Sequence, residues 1–429
     1  MKADIMSRKL TKGLAAFALA TPLFSQAATP DDALIARGAY LAKVGDCVAC
    51  HSAPKGKPFA GGLPMTTPMG KIYTTNITPD RDTGIGGWTQ ADFDKALRRG
   101  ISKDGHNLYP AMPYPSYAKV KDEDVVALYA YFMRGVAPVH QANRASDIAF
   151  PLNMRWPLTF WNWVFLDKAV YRDKDDKDIA WNRGAYLIQG LGHCGSCHTP
   201  RGIAFQEKAQ DEGNGVWLTG APLDGWFAAN LTGEKNVGLG RWSDAELTAF
   251  LKTGANVHAS AFGSMTDVIN NSTQAMNDED LSAMSIYLKS LPAAGGTNAS
   301  AYAYNSKTSV ELLAHPATDA GAKVYTAYCM HCHAVNGKAF APLLAPLAGN
   351  PNVLERDPSS LINVTLNGTR DLVIGGIPAP YPMPHYAKVL NDQQIADVLT
   401  FIRAGWNNGA PAVAPGDVAK LRKTTQAQR

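Results

Sequence analysis

Three segments of the chain share a pattern in which an acidic start is followed by apolar residues at helical spacing. They cover residues 122–134, 278–291 and 392–403, and each opens with aspartate. Apolar side chains three and four positions apart share one face of a helix, and acidic residues favour its first turn. The pattern therefore predicts three amphipathic helices, each closing a separate module of the chain.

A second repeat lies upstream of each of these helices. Residues 37–41 and 183–187 both read Arg-Gly-Ala-Tyr-Leu, and residues 321–325 form a looser version, Gly-Ala-Lys-Val-Tyr. A glycine inside a helix costs about 1 kcal/mol relative to alanine, so a packing reason is expected. We predict that each glycine lets the closing helix of its own module approach closely.

The middle of each module carries a helix with clear start and stop signals. Residues 89–92 and 243–246 match capping boxes, and residues 358–360 open a third helix. These helices are predicted to end near Gly100, Gly254 and Gly368. The order of helix, long loop, capped helix, loop and closing helix predicts small all-α domains.

All six cysteines fall into three copies of Cys-x-x-Cys-His, each placed after the first helix of a module. The copies are Cys47, Cys50 and His51; Cys194, Cys197 and His198; and Cys329, Cys332 and His333. This is the attachment signature of c-type haem. Residues three and four apart share a helical face, so two thiols reach one porphyrin and the histidine faces its iron. No cysteine remains for a disulfide or a four-cysteine zinc site, and we predict three covalently bound haem c groups.

The expected fold is all-α, with three tandem class I cytochrome c domains. Modules 1, 2 and 3 are predicted at residues 31–145, 179–293 and 318–407, separated by an aromatic linker at 146–178 and a second linker at 294–317, and followed by a tail at 408–429. Residues 156–166 of the aromatic linker are apolar but too few to span a bilayer. Two interpretations of this run stay open: packing between modules 1 and 2, or contact with a partner subunit or a membrane surface.

The first 27 residues have the features of a secretory signal peptide. A basic start precedes an apolar stretch at 14–24 and small residues at 25–27. Export agrees with the haem prediction, because c-type haem is attached on the outer side of the bacterial membrane. The formal charge of the whole chain is +4, and this segment carries +3 of it, which leaves +1. No basic patch suggests a nucleic-acid partner.

The second axial ligand of each haem iron must come from outside the Cys-x-x-Cys-His motif. A methionine lies in the loop before each closing helix, at Met112, Met265 and Met383. Histidines in the same loops, at His106, His258 and His385, leave bis-histidine ligation open. A thioether ligand raises the reduction potential, and a six-coordinate iron leaves no site for substrate. Methionine ligation therefore predicts electron transfer instead of haem catalysis.

Several segments of modules 1 and 2 resemble one protein family. They are Gly-Gly-Leu-Pro at 61–64, Thr-Asn-Ile-Thr-Pro-Asp at 75–80, Gly-Ile-Gly-Gly-Trp at 84–88, Leu-Tyr-Pro-Ala-Met-Pro-Tyr at 108–114, the motif region at 192–201 and Ala-Phe-Gly-Ser-Met at 261–265. The chain resembles the triheme cytochrome c subunits of bacterial membrane-bound dehydrogenases. It is most similar in these motifs to the subunit that serves gluconate 2-dehydrogenase, and also to those serving alcohol, sorbitol and fructose dehydrogenases.

The resemblance implies an electron-transfer subunit that does not oxidise the organic substrate itself. A separate flavin- or quinone-dependent subunit, with a small third subunit possible, would oxidise a sugar acid, polyol or alcohol in the periplasm. Electrons would pass through three haems to ubiquinone, with the chain attached to the outer face of the cytoplasmic membrane. The implied iron ligands are His51 with Met112, His198 with Met265, and His333 with Met383. A free-standing periplasmic shuttle and a haem peroxidase are the alternative functions.

Overall fold

The computed structural model describes residues 29–294, 300–314, 318–369, 372–379 and 381–426, and the predicted signal peptide lies outside them. Helices dominate these residues. Module 1 contains α1 Pro30–Val44, α2 Cys47–Cys50, α3 Gln90–Arg99, α4 Tyr114–Tyr117 and α5 Asp122–Ala130, and the aromatic linker contains α6 Leu158–Phe165. Module 2 contains α7 Ile179–Gln189, α8 Gly195–His198, α9 Asp244–Thr253, α10 Ser264–Asn271 and α11 Asp278–Ser290.

The last third of the chain continues this pattern. It contains α12 Lys307–Ala314 in the second linker, then α13 Ala320–Tyr328, α14 Met330–His333, α15 Pro351–Leu354, α16 Ser359–Asn367 and α17 Asp392–Ala404, and finally α18 Pro415–Gln426 in the tail. Helix α5 runs on into a π-helical turn at Tyr131–Gly135. Among the described residues, no helix is both long and apolar enough to cross a membrane.

Short antiparallel strands depart from the all-α expectation. The strands are β1 Pro64–Thr67, β2 Gly70–Tyr73 and β3 Asp147–Ile148; β4 Ala221–Leu223 and β5 Trp226–Ala228; and β6 Val373–Ile374 and β7 Ile377–Pro378. Three hairpins result, β1–β2, β4–β5 and β6–β7. Gly70 and Gly225 have φ angles of 133° and 79° at two of the turns, conformations that favour glycine. The long loops of the modules thus fold partly as hairpins.

The repeated glycines confirm the predicted helix crossings. A Cβ atom on Gly38 would lie 2.0 Å from the carbonyl oxygen of Ala127 in α5. One on Gly184 would lie 2.0 Å from the carbonyl oxygen of Ala283 in α11. One on Gly321 would lie 2.2 Å from the oxygen of Asp397 in α17. In each module the first helix therefore contacts the backbone of its own closing helix.

The predicted capping boxes are also present. The Thr89 hydroxyl and the Asp92 carboxylate exchange hydrogen bonds with each other's backbone N–H groups at the start of α3. Ser243 and Glu246 do the same for α9. Both helices end, as predicted, at a glycine in the left-handed conformation. These local signals thus place the middle helices of modules 1 and 2.

The two largest hydrophobic cores among the described residues divide the molecule unevenly. One continuous core joins buried residues of modules 1 and 2, among them Leu41, Leu128, Leu187 and Tyr287. Module 3 has its own core around Tyr325, Ile362, Leu399, Trp406 and Val418. Val418 belongs to α18, so the tail packs into module 3. Modules 1 and 2 form a tightly joined pair, and module 3 is built separately.

The aromatic linker packs between modules 1 and 2 with one face of α6. The Trp161 Nε1–H donates to the carbonyl of Ala204 in module 2 at 2.9 Å. The Tyr114 hydroxyl of module 1 donates to Asn162 Oδ1 at 2.7 Å. The other side of the segment presents a row of exposed side chains, Trp156, Phe160, Trp163 and Val164. One face of α6 therefore supports packing between modules 1 and 2. The exposed face supports contact with a partner subunit or a membrane surface.

Candidate haem sites

Each Cys-x-x-Cys-His histidine is held by the same kind of contact. The ring Nδ1 atoms lie close to backbone carbonyl oxygens: His51 to Thr75 at 2.7 Å, His198 to Ala229 at 2.6 Å and His333 to Ala345 at 3.0 Å. A carbonyl oxygen only accepts, so Nδ1 carries the proton and donates it. The lone pair of Nε2 is left for a metal, the arrangement typical of ligating histidines.

The electrostatics of these histidines agree with a ligand role. Burial lowers the pKa of His51, His198 and His333, and the hydrogen bond from Nδ1 opposes this only in part. The rings are therefore neutral at pH 7, and neutral imidazole is the form that binds iron. The same three features, namely partial burial, orientation through Nδ1 and neutrality, recur in all three modules.

The six cysteines form no disulfide with one another. Burial raises the pKa of Cys47, Cys194 and Cys329 to about 12, and of Cys50 and Cys197 to about 11. Zinc binds thiolates, which this burial disfavours. Within the part of the chain that the structure describes, no cluster of three or more His, Cys, Asp or Glu side chains is arranged to hold a metal ion.

Module 2 encloses a cavity of about 220 Å³. A single water needs only about 10–15 Å³ measured in this way, so this space is no packing defect. Cys194, Cys197, His198 and Met265 line it together, among mostly leucine, phenylalanine and other apolar side chains. Helix α8 supplies Cys197 and His198, and the first turn of α10 supplies Met265. The cavity thus joins the predicted anchors and both predicted axial ligands of one haem.

A buried polar atom in the wall of this cavity tests the fit of a haem. The indole Nε1–H of Trp242 is buried and has no hydrogen-bond partner among the described residues. A buried unpaired donor costs about 1–3 kcal/mol, so a partner is expected when the cavity is filled. Haem carries two propionates that accept hydrogen bonds. An apolar wall with an unpaired donor fits such a group.

Asn76 and Asn230, which stand at equivalent repeat positions, form local turns. Asn230 Oδ1 accepts the N–H of Thr232 at 2.7 Å, and Asn76 Oδ1 accepts the N–H of Thr78 at 2.9 Å. The side-chain amide of Asn76 also donates to the carbonyl of Val139 at 2.7 Å. Each asparagine directly follows the residue that accepts from the haem-motif histidine. Their role is therefore to shape the loop that orients the ring.

Met112 and Met383 lie in loops that are held by different contacts. Met112 packs against the core shared by modules 1 and 2, and its N–H donates to the carbonyl of Tyr109 at 3.2 Å. Met383 is tied to Thr369 by two hydrogen bonds, one through the threonine hydroxyl at 2.9 Å and one through its N–H at 3.1 Å. Iron ligation by the three methionines stays a prediction.

The competing histidines have other partners. His258 stacks on Trp242 with ring centroids 5.4 Å apart, and its Nε2 lies 3.3 Å from Glu246. His106 Nδ1 lies 2.6 Å from Asp104 and the side chain is largely exposed. Both histidines thus have polar partners within their own modules, and the choice between methionine and histidine ligation stays open.

The sequence did not reveal that other modules contribute to the module 2 cavity. Val44 and Asp46 of module 1 line one side of it. Pro351, Asn352 and Ser360 of module 3 line another. Contacts between residues so far apart in the chain leave no periodic signal. Residues of both neighbouring modules therefore help to line the module 2 cavity.

Comparison with known proteins agrees with this architecture. The cytochrome c family model matches residues 35–135 and 318–406. The chain is 49% identical to the gluconate 2-dehydrogenase cytochrome c subunit of Pantoea cypripedii, over 98% of this chain and 97% of that protein. It is 47% identical to the cytochrome c subunit of the quinone alcohol dehydrogenase of Gluconacetobacter polyoxogenes, over 97% and 90%.

A third relative extends the same group. The fructose dehydrogenase cytochrome subunit of Gluconobacter japonicus is 38% identical over 90% of this chain and 82% of its own length. The similarity to all three relatives thus runs through nearly the whole chain and includes every Cys-x-x-Cys-His module. The chain belongs to the family of cytochrome c subunits of bacterial dehydrogenases.

Proposed function

We propose that this chain is a periplasmic electron-transfer subunit with three tandem class I cytochrome c domains and three covalent haem c groups. The observation that carries the proposal is the threefold recurrence of a half-buried, neutral histidine oriented through Nδ1 beside two thiols. The bound haems would accept and release single electrons. The remaining ligands are assigned to Met112, Met265 and Met383.

The proposed electron donor is a flavin- or quinone-dependent catalytic subunit that oxidises a sugar acid, polyol or alcohol. The names of the relatives support this partner, because they are cytochrome subunits of gluconate, alcohol and fructose dehydrogenases. The proposed acceptor is ubiquinone in the cytoplasmic membrane. The chain itself would bind no organic substrate, because the proposed haem would fill its cavity in module 2.

The arrangement of the modules supports an order for the relay. The module 2 cavity has walls from both neighbours. Module 3 is joined to module 2 by the Asn363 side chain, which donates to the carbonyl of Gly225 at 2.9 Å, and by Ser360, whose hydroxyl donates to the carbonyl of Phe227 at 3.0 Å. We place module 2 at the centre, with modules 1 and 3 at the two ends.

The exposed face of α6 is the proposed contact with the membrane surface. Trp156, Phe160 and Trp163 are 62%, 63% and 82% exposed. Such aromatic side chains favour the boundary between lipid headgroups and acyl chains. This contact would be peripheral and would bring the chain close to the quinone pool.

A haem count combined with purification tests the proposal. We expect the pyridine haemochrome assay to give three haems per chain, and two for the Cys194→Ala/Cys197→Ala variant. We also expect the native chain to purify with a dehydrogenase subunit, and that complex to reduce a ubiquinone analogue. Two or fewer haems in the unaltered chain would refute the cofactor assignment. Purification without any dehydrogenase would favour a free shuttle, and peroxide turnover by the isolated chain would favour a peroxidase.

A further inference from the structure

The closing helix of module 1 is contacted by both repeated helices. Asp124, the third residue of α5, accepts from Arg37 Nε of its own module at 2.8 Å. Its other carboxylate oxygen accepts from the hydroxyl of Tyr186, in module 2, at 2.5 Å. Asp124 is 1% exposed. A buried carboxylate is thus satisfied by an arginine of its own module and a tyrosine of the neighbouring one.

The same contacts recur with the modules exchanged. Asp280, the third residue of α11, accepts from Arg183 Nε and Nη2 at 2.7 and 2.8 Å. Its Oδ2 accepts from the hydroxyl of Tyr40, in module 1, at 2.5 Å. Both polar side chains of the repeated Arg-Gly-Ala-Tyr-Leu segment therefore make the same contacts in the two modules. The arginine binds within its own module, and the tyrosine binds across the interface.

Each tyrosine also completes the start of a helix in the other module. The N–H of Lys121, the residue before α5, donates to the Tyr186 hydroxyl at 3.2 Å. The N–H of Asn277, the residue before α11, donates to the Tyr40 hydroxyl at 3.4 Å. In an ordinary capping box the third residue of the helix would accept this N–H itself. Here a tyrosine hydroxyl from the neighbouring module accepts this N–H and donates to the aspartate carboxylate, so it bridges the two groups.

Module 3 lacks the cross-module arrangement and caps its closing helix internally. Two residues after the repeated glycine, module 3 has Lys323 where modules 1 and 2 have tyrosine. The third residue of its closing helix is Gln394, where the other two modules have aspartate. The N–H of Asn391 donates to Gln394 Oε1 at 3.0 Å, which is an ordinary capping box. Module 3, in which both residues differ, also has a hydrophobic core of its own. The tyrosine–aspartate pairs are therefore features of the contact between modules 1 and 2.

The chain segment that leads from α1 to the first haem motif connects these contacts to the cofactor sites. Tyr40 lies in α1, and the next turns of the chain carry Val44 and Asp46 into the wall of the module 2 cavity. The Ser272 hydroxyl of module 2 donates to the carbonyl of Val44 at 3.1 Å. Cys47 follows directly. A rotation of α1 against module 2 would therefore move the first haem motif relative to the second.

We propose that the Tyr40–Asp280 and Tyr186–Asp124 pairs are positioning residues that fix the distance and angle between the first and second haem sites. The proposal rests on the proposed function, because it requires a haem in each site. The two pairs act together, since each closes one side of the same interface.

The test uses the full-length, haem-loaded chain with the variants Tyr40→Phe, Tyr186→Phe and the double variant. Circular dichroism in the Soret region and electron paramagnetic resonance report coupling between neighbouring haems. We expect the double variant to lose or strongly change this coupling with three haems still attached. Tyr325→Phe is the matched control, because its hydroxyl donates to Ala334 within module 3 at 2.6 Å. It should leave the coupling of the first two haems unchanged.

Hydrogen exchange gives a second readout that does not depend on the haems. Loss of a hydrogen bond to a charged group corresponds to about tenfold or faster exchange in the peptides that start α5 and α11. Tyr40→Phe and Asp280→Asn should be strongly non-additive in thermal unfolding. Three haems with unaltered coupling and unaltered exchange in the double variant would overturn the proposal. A haem count below three in the unaltered chain would instead overturn the proposed function.

Discussion

At the scale of single residues, the haem-motif histidines keep one geometry with different partners. The acceptor carbonyl lies 24 residues after His51, 31 after His198 and 12 after His333. The loops therefore differ in length while the ring orientation is preserved. Each loop places a backbone carbonyl against Nδ1 of its histidine. This contact matters because it leaves Nε2 free to bind iron.

Met265 offers the sharpest test of axial ligation, because it shares a cavity with His198. We expect Met265→Ala to remove the contribution of one haem to the methionine–iron absorption band. The reduction potential of that haem should fall, since a thioether raises it. Redox titration monitored by visible absorption measures both effects.

The control for this variant is Met154→Ala, which alters a partly buried methionine of the linker. It should change neither the band nor any potential. An undiminished band in Met265→Ala would reject the ligand and reopen the assignment for Met112 and Met383, which rests on the same repeat.

At the scale of helices, close crossings at glycine organise every module. The contact of α7 with α11 leaves no room for a methyl group at Gly184, because the obstacle is the backbone carbonyl of Ala283 at 2.0 Å. Backbone cannot rotate away as a side chain does, so the two helices would have to separate. Overpacking of this kind typically costs about 1–3 kcal/mol.

We expect Gly184→Ala to lower the free energy of unfolding by at least about 1–3 kcal/mol. Gly416→Ala, in α18, is the matched control, because nothing lies within 4 Å of the added carbon. It should be neutral or stabilise by about 0.4–1 kcal/mol. Chemical denaturation of the haem-loaded chain measures both. Equal stability of the two variants would contradict the crossing geometry.

These elements show which parts of the structure the sequence predicts. Caps such as Thr89 with Asp92, and glycine crossings such as Gly38 on α5, follow from signals within a few residues or from an internal repeat. The reciprocal bonds of Tyr40 and Tyr186 were not predicted. The repeat marked both tyrosines, but their partners lie 240 and 62 residues away. Long-range pairing depends on how modules dock, which no local pattern encodes.

At the scale of the whole molecule, the three modules are unequal. Modules 1 and 2 share a core and a reciprocal interface, and module 3 docks through the hairpin β4–β5 and the start of α16. The modules also differ in the apolar side chains that they expose. Helix α6 sits on the joined pair and turns its aromatic face outward. A peripheral membrane contact there would orient modules 1 and 2 toward the bilayer.

The variant Phe160→Ser/Trp163→Ser tests this orientation. Both side chains are mostly exposed, at 63% and 82%, so their loss should leave the fold intact. Full burial of such a side chain contributes about 1.5–3 kcal/mol, so binding to vesicles of phosphatidylethanolamine and phosphatidylglycerol should weaken by roughly tenfold or more. Flotation of the haem-loaded chain with vesicles measures this.

The matched control is Val310→Ser/Leu313→Ser, which removes two exposed apolar side chains from α12 in the second linker. If apolar exposure alone drove binding, both double variants would weaken it. If α6 is the membrane contact, only Phe160→Ser/Trp163→Ser will weaken vesicle binding. The control residues lie beside module 3 and outside the aromatic face. Unchanged flotation of Phe160→Ser/Trp163→Ser would assign the face of α6 to a protein partner, and loss of the dehydrogenase subunit from that variant would identify it.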